Sequence, residues 1–120
     1  MARSASLLLL VRGYVLLLKR SGTVEQPRTW GLPGGYSKRR EKPFQTAVRE
    51  AVEEIGPLPK LKVLDYCQSG EHTAFIATTP HHFRPVLNGE HTNYAWIPAE
   101  IARHIDLHPG VRRLLDGRCR

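Results

Sequence analysis

Acidic residues are scarce in this chain: 11 Asp and Glu stand against 18 Lys and Arg, a formal net charge of +7. The deficit favours anionic partners, by steering nucleotides or by weak binding to RNA. It does not by itself make a nucleic-acid binder, and the chain carries no recognised RNA or DNA motif. Cysteine is scarcer still. The two present, Cys67 and Cys119, lie far apart and fit no metal spacing. A disulfide between them is possible, and a reduced, cytoplasmic setting is the simpler expectation. None of the six histidines falls into a zinc pattern. Long apolar runs are missing. The run 7–11, behind Arg3, superficially resembles a secretion signal, but Arg12 and Gly13 break it and no small-residue cleavage site follows. No segment reaches the roughly 20 apolar residues that cross a bilayer. There is no internal repeat, low-complexity tract or linker, so the 120 residues are expected to form a single domain over 1–120.

The few acids are concentrated. Glu50, Glu53 and Glu54 stand at i, i+3 and i+4 in a segment with strong helix signals. Pro43 suits a first-turn position, where its missing N–H would be unbonded anyway. Phe44, Ala47, Val48, Ala51, Val52 and Ile55 recur at helical spacing as one apolar stripe. Gly56 fits a left-handed position that ends a helix, and Pro57 cannot continue it. These marks predict a helix over 43–55. At roughly 100° per residue the stripe and the three acids are centred about 150° apart, so one face is expected to be buried and the other to hold the carboxylates. Like charges at this spacing destabilise a helix by roughly 0.2–0.5 kcal/mol per pair. Arg49 can relieve Glu53, but it is one charge against three. A hard divalent cation would resolve the conflict, and all-oxygen ligation points to Mg²⁺ or Mn²⁺. A charge run taken alone more often marks a solvated face.

The flanking residues change that weighting. From Gly35 the chain reads GYSKRREKPFQTAVREAVEEIGP, with Gly35, Glu41, Arg49, Glu50, Glu53, Glu54 and Gly56 at fixed intervals. Those identities would coincide at one start position with a probability on the order of 10⁻⁸ from average composition. The segment resembles the signature of the Nudix hydrolase family, G-x5-E-x7-R-E-U-x-E-E-x-G-U with U apolar. The preceding Trp30-Gly31-Leu32-Pro33-Gly34-Gly35 also looks like that family's lead-in. The resemblance implies a mixed β-sheet between helices, an α/β/α sandwich. It implies Glu50, Glu53, Glu54 and the Gly34 carbonyl as metal ligands, and Glu41 and Arg49 as a pair tying loop to helix. The implied chemistry is attack of water on a diphosphate linkage of a nucleoside diphosphate derivative, with Arg49 and the three glutamates in the catalytic group. Departures from the pattern are Pro57 for the last apolar residue, the small Ala51, and the basic loop 36–40. Arg40 replaces a frequent glycine, and Lys42 stands where a Ser or Thr cap would be expected.

The rest of the chain reads as mixed α/β. Strands are expected at 7–11 and 14–18 around an Arg12-Gly13 turn, at 61–68 and 73–78 around Ser69-Gly70, and at 94–97. A helix is expected to start near Pro98, and part of a last helix at 111–115. The family resemblance implies a further acid, as metal ligand or general base, in a loop such as the one before the fifth of these strands, and Glu90 is the candidate there, with Glu50 its rival as general base and an exposed loop glutamate the plain alternative. Lys38 and Arg39 are candidate phosphate contacts, within a basic group that also includes Lys19, Arg20, Arg28 and Arg40. Trp30 and Tyr94 are candidate stacking partners for a base, although ordinary packing accounts for such residues too. His72 and His91, each beside an acid, read as loop or core histidines.

The expected activity is Mg²⁺-dependent hydrolysis of a nucleoside triphosphate, dinucleoside polyphosphate, nucleotide sugar or ADP-ribose. Two alternatives stay open. One is a hydrolase of RNA 5′ ends, and the other is a nucleotide-sensing module without turnover. The intact set of glutamates argues against the second. Oligomeric state is left open by the sequence.

Overall fold

A computed structural model describes residues 2–21 and 29–104. Strand β1 (Ser4–Val11) and strand β2 (Tyr14–Arg20) form a hairpin in which Arg12 and Gly13 both take positive φ, 51° and 83°. This is the backbone handedness that matches strand twist in a two-residue turn. The hairpin is paired only at its tip, Leu10 to Val15 and Val11 to Tyr14. Beyond the tip the two strands part and each collects its own neighbours. β1 pairs antiparallel with β4 (Gly34–Tyr36) on one side and parallel with β6 (His72–Thr78) on the other. β5 (Lys62–Ser69) then closes that edge against β6. β2 pairs with β3 (Trp30–Gly31) and, along its whole length, with β7 (His91–Pro98). The strand expected at 94–97 therefore begins three residues earlier, because β2 supplies partners as far as Arg20.

Helix α1 (Pro43–Ile55) packs on one face of the sheet. Ala47, Ala51 and Ile55 meet Ala5, Leu7, Leu9, Leu16, Leu18 and Ala77 there. The opposite face buries Leu8, Val15, Leu17 and Leu32 against Ala102 of the one-turn helix α2 (Ala99–Ala102). The arrangement is the expected α/β class, a mixed sheet with helix on each face. The segment 111–115, expected to be helical, lies outside the described residues. Cys67 of β5 is disulfide-bonded, and Cys119 lies outside the described residues. Among the described residues no helix is long and apolar enough to cross a membrane.

Two expectations about α1 are corrected. Val52, counted in the apolar stripe, is 43% exposed, whereas Glu54, counted among the solvent-facing acids, is 1% exposed. The buried face is rotated toward Thr46 and Glu54, because β4 and its glycines approach the helix there and leave Val52 uncovered. Lys42 provides no side-chain acceptor at the helix start. Gln45 Oε1 instead accepts the Lys42 N–H at 2.9 Å, half of a capping box. At the other end Gly56 has positive φ, 82°, but an extended ψ of −169° rather than the left-handed helical value. That region is essentially glycine-only.

Candidate active site

Two backbone features make room for carboxylates beside β4. A Cβ on Gly34 would lie 2.5 Å from the Ala5 carbonyl oxygen and 2.8 Å from Ser6 Cα. A Cβ on Gly35 would lie 2.5 Å from the Glu50 carboxyl carbon. Both glycines are therefore required by close approach, one to β1 and one to the acid itself. The Glu50 side chain occupies the space above Gly35, and Glu54, one turn on, receives the Gly34 N–H at 3.4 Å.

The loop leading into the helix is held by Arg49. Its guanidinium bonds Glu41 twice, Nε to Oε2 at 2.7 Å and Nη2 to Oε1 at 2.9 Å, and donates to the Tyr36 carbonyl at 3.0 Å. Nη1 reaches Glu50 at 3.1 Å and Glu53 at 3.3 Å. Glu41 also accepts from the Lys38 amide and the Thr46 hydroxyl, at 3.0 and 2.8 Å. The Arg49 fork is the largest cause of a Glu41 carboxyl held down at about 2, and it is itself held protonated by Glu41. The loop–helix tie implied by the family resemblance is thus present. Arg40, one residue before Glu41, has φ of 66°, so the position where glycine is frequent does demand positive φ and Arg40 is strained in it.

Glu54 has the opposite surroundings. Its Oε2 is buried with no hydrogen-bond partner. Burial is the main cause that pushes its carboxyl up to about 9; the Gly34 amide opposes the rise, and the charges of Glu50 and Glu90 add to it, as does a hydrogen bond between the Glu54 and Glu50 carboxyls, which exists only while a proton is held there, so that Oε2 is bare when both are ionised. Glu50 is also raised, by burial first and then by the Glu53 charge, with Arg49 opposing. Metal-free, burial and mutual repulsion resist ionising both members of the Glu50–Glu54 pair.

The exposed loop acid Glu90, distant in sequence, lies near enough for its charge to oppose ionisation of Glu54. The loop reaches it by capping the end of α1. The Asn88 N–H donates to the Glu54 carbonyl at 3.2 Å and the Val86 N–H to the Ile55 carbonyl at 2.9 Å, both last-turn carbonyls without helical partners. The Ser21 N–H donates to the Glu90 carbonyl at 2.9 Å. His91 follows at the start of β7, 5% exposed, with Nδ1 3.8 Å from Glu54 Oε1. Sequence reading placed His91 only as a loop or core histidine; its adjacency to Glu90 was the available signal.

The acids do not form a ready cage. Among the described residues no group of three His, Cys, Asp or Glu side chains converges for a metal ion. The expected trio is divided, because Glu53 is turned to Arg49 with its side chain 52% exposed while Glu50 and Glu54 face inward. The donor set still suits a hard cation: the buried Glu54 oxygen stands beside the half-buried Glu50 carboxylate, whose single positive neighbour among the described residues is shared with Glu41 and Glu53. For Gly34 the recorded contact is made by the amide, not by the carbonyl expected as a ligand. Lys38 and Arg39 are exposed on the loop before Glu41. Trp30 packs against the α2-side core with Lys19 Nζ 5.9 Å from its ring centre, and Tyr94 packs against the α1-side core.

Comparison with known proteins bears on the family and the fold. A family profile described as NUDIX domain matches residues 1–117. A Mycobacterium tuberculosis protein named "Putative 8-oxo-dGTP diphosphatase 3" is 34% identical over 107 residues, covering 80% of this chain and 49% of its own length. The chain thus spans about half the length of the curated relatives it matches. The crystal structure of RenU, a Nudix hydrolase from M. smegmatis, superposes with a TM-score of 0.85 at 30% identity, covering 96% of this chain and 81% of that one. A C. elegans Ap4A hydrolase shares the fold at a TM-score of 0.77 and 22% identity, covering 97% of this chain and 93% of its own.

Proposed function

The chain belongs to the NUDIX domain family, and from that premise we propose that it is a divalent-metal-dependent hydrolase of a diphosphate linkage in a nucleoside diphosphate derivative. The observation that carries the proposal is the buried, unpartnered Oε2 of Glu54 beside Glu50, on a helix held by the Arg49–Glu41 fork. A carboxylate kept out of water with an orphaned oxygen, as Glu54 is, costs stability unless a cation or a proton occupies it. That is an arrangement expected of a site and not of a scaffold.

In this reading Glu50, Glu53, Glu54 and the Gly34 carbonyl would hold Mg²⁺ or Mn²⁺. When bound, the ion neutralises diphosphate oxygens and lowers the pKa of a bound water. The chain's own residues do the rest. Arg49 keeps Glu50 and the loop before α1 in place through Glu41. Lys38 and Arg39 attract the phosphate chain from the exposed side of that loop. Glu90 or Glu50 accepts the proton of the attacking water; the capping of α1 by the 86–88 backbone supports Glu90 by keeping its loop at the helix end. Trp30 and Tyr94 are assigned to packing. The domain is taken to span 1–120. For substrate, we place an oxidised purine deoxynucleoside triphosphate first on the strength of the mycobacterial relative's name.

Product identification with and without Mg²⁺ tests the proposal. The panel is 8-oxo-dGTP, dGTP, a nucleotide sugar, ADP-ribose, a dinucleoside polyphosphate and a 5′-triphosphate RNA. Mg²⁺-dependent release from a free nucleotide supports it. Preference for the RNA, falling with salt, moves the assignment to RNA 5′ ends. Nucleotide binding with no product from any member overturns turnover and favours a sensing module.

A further inference from the structure

His91 is the least explained side chain in the core. Neither Nδ1 nor Nε2 has a hydrogen-bond partner, although the residue is 5% exposed. Buried polar atoms are nearly always partnered, so a bare imidazole of this kind calls for an explanation. Only three buried side-chain polar atoms among the described residues lack partners: these two nitrogens and Oε2 of Glu54. They are neighbours, since His91 Nδ1 stands 3.8 Å from the other Glu54 oxygen, Oε1.

We propose that His91 is a positioning residue for the metal-binding carboxylate: Nδ1–H donates to Glu54 Oε1 and turns Oε2 toward the cation. This rests on the functional reading above. At 3.8 Å the pair is not a hydrogen bond, and an approach of about 1 Å makes it one. An ionised Glu54 attracts the N–H more strongly than a protonated one, so cation binding at Oε2 and closure of this contact favour each other. Together they satisfy two of the three orphaned atoms. The backbone fixes His91 for the task. It is paired with Arg20 at the irregular end of the β2–β7 ladder, and its N–H donates to the Asn88 carbonyl at 3.4 Å. Asn88 in turn caps Glu54. Outer groups that orient a ligating side chain typically change metal affinity or activity by about 10–100-fold when removed.

The test uses the whole chain and compares His91→Leu, which keeps an apolar body, with His91→Asn, whose amide N–H reproduces the Nδ1 donor. Mn²⁺ affinity is measured from the free-ion EPR signal, and unfolding is measured without metal. His91→Leu should weaken Mn²⁺ binding by about 10–100-fold. Its metal-free melting temperature should equal or exceed that of the parent, since two bare nitrogens are gone. His91→Asn should stay within about threefold of the parent, as retention of the donor requires. In turnover assays the Leu defect should be recovered by raising Mn²⁺, with substrate KM unchanged. Equal Mn²⁺ affinity in parent and His91→Leu overturns the inference alone. So does an equal loss in Leu and Asn that tracks a fall in melting temperature. A parent that binds no Mn²⁺ overturns the functional reading and the inference together.

Discussion

Glu41 and Glu54 flank the same stretch of chain, and their surroundings differ in every respect. Glu41 accepts from Arg49, Thr46 and the Lys38 amide, near solvent, and its charge is fully answered by the chain. Glu54 is buried, has one long amide contact, and faces two acids and a neutral imidazole. A satisfied carboxylate of the first kind is a fastener. A carboxylate of the second kind lowers stability in the protein alone, and such a group is retained where an outside cation completes it.

The comparison can be broken first at its functional end. Glu54→Gln should lower turnover by about 10³-fold and Glu53→Gln by about 10²-fold, both leaving a folded, cooperatively melting protein. Near-normal turnover in both, with unchanged metal dependence, sinks the metal-site reading. At the other end, Arg49→Lys keeps the charge but loses the fork to Glu41. Turnover should fall roughly tenfold with a drop of a few degrees in melting temperature, the latter present without metal. An activity loss with no stability loss would make Arg49 more than a fastener.

The contrast also predicts a pH signature. Folded Glu54 holds its proton up to about 9, against 4.5 as the ordinary value, so the folded state binds more protons in that interval and stability falls as pH rises. His91, held down to about 4 from 6.5, works the other way, but only below pH 6.5. Glu41 loses its stabilising charge only in acid, as pH falls from 4.5 toward about 2. Metal-free protein should therefore melt progressively lower from pH 6.5 to 9, and saturating Mg²⁺ should flatten the slope. A metal-free slope that survives Glu54→Gln assigns it to another group. The smallest effect concerns the loop of the fastener. Arg40→Gly should stabilise by roughly 1 kcal/mol in denaturant melts, by relieving the positive φ at that position. No gain would mean that the glycine's greater unfolded-state entropy cancels the relief.

Much of this was readable in the linear order. The apolar period and Pro43 mark α1, Arg12-Gly13 marks the hairpin, and the spaced Gly, Glu and Arg residues mark the family. Periodicity assigned Glu54 to the solvent face and Val52 to the core, and both were misplaced, because a helical wheel knows nothing of the strand that covers its edge. His91 was passed over for a related reason: the acid beside it is 37 positions away, and the capping of α1 by the 86–88 backbone, with the β2–β7 pairing, brings the two together.

By itself, then, the sequence determined the elements, the family and the identity of the clustered acids, since these follow from local spacing and backbone preference. Tertiary structure alone decided which acids are answered and which are left bare. Burial, dielectric and the approach of β4 and the loop before β7 are properties of the folded assembly, and they leave one of two chemically identical glutamates answered and the other bare.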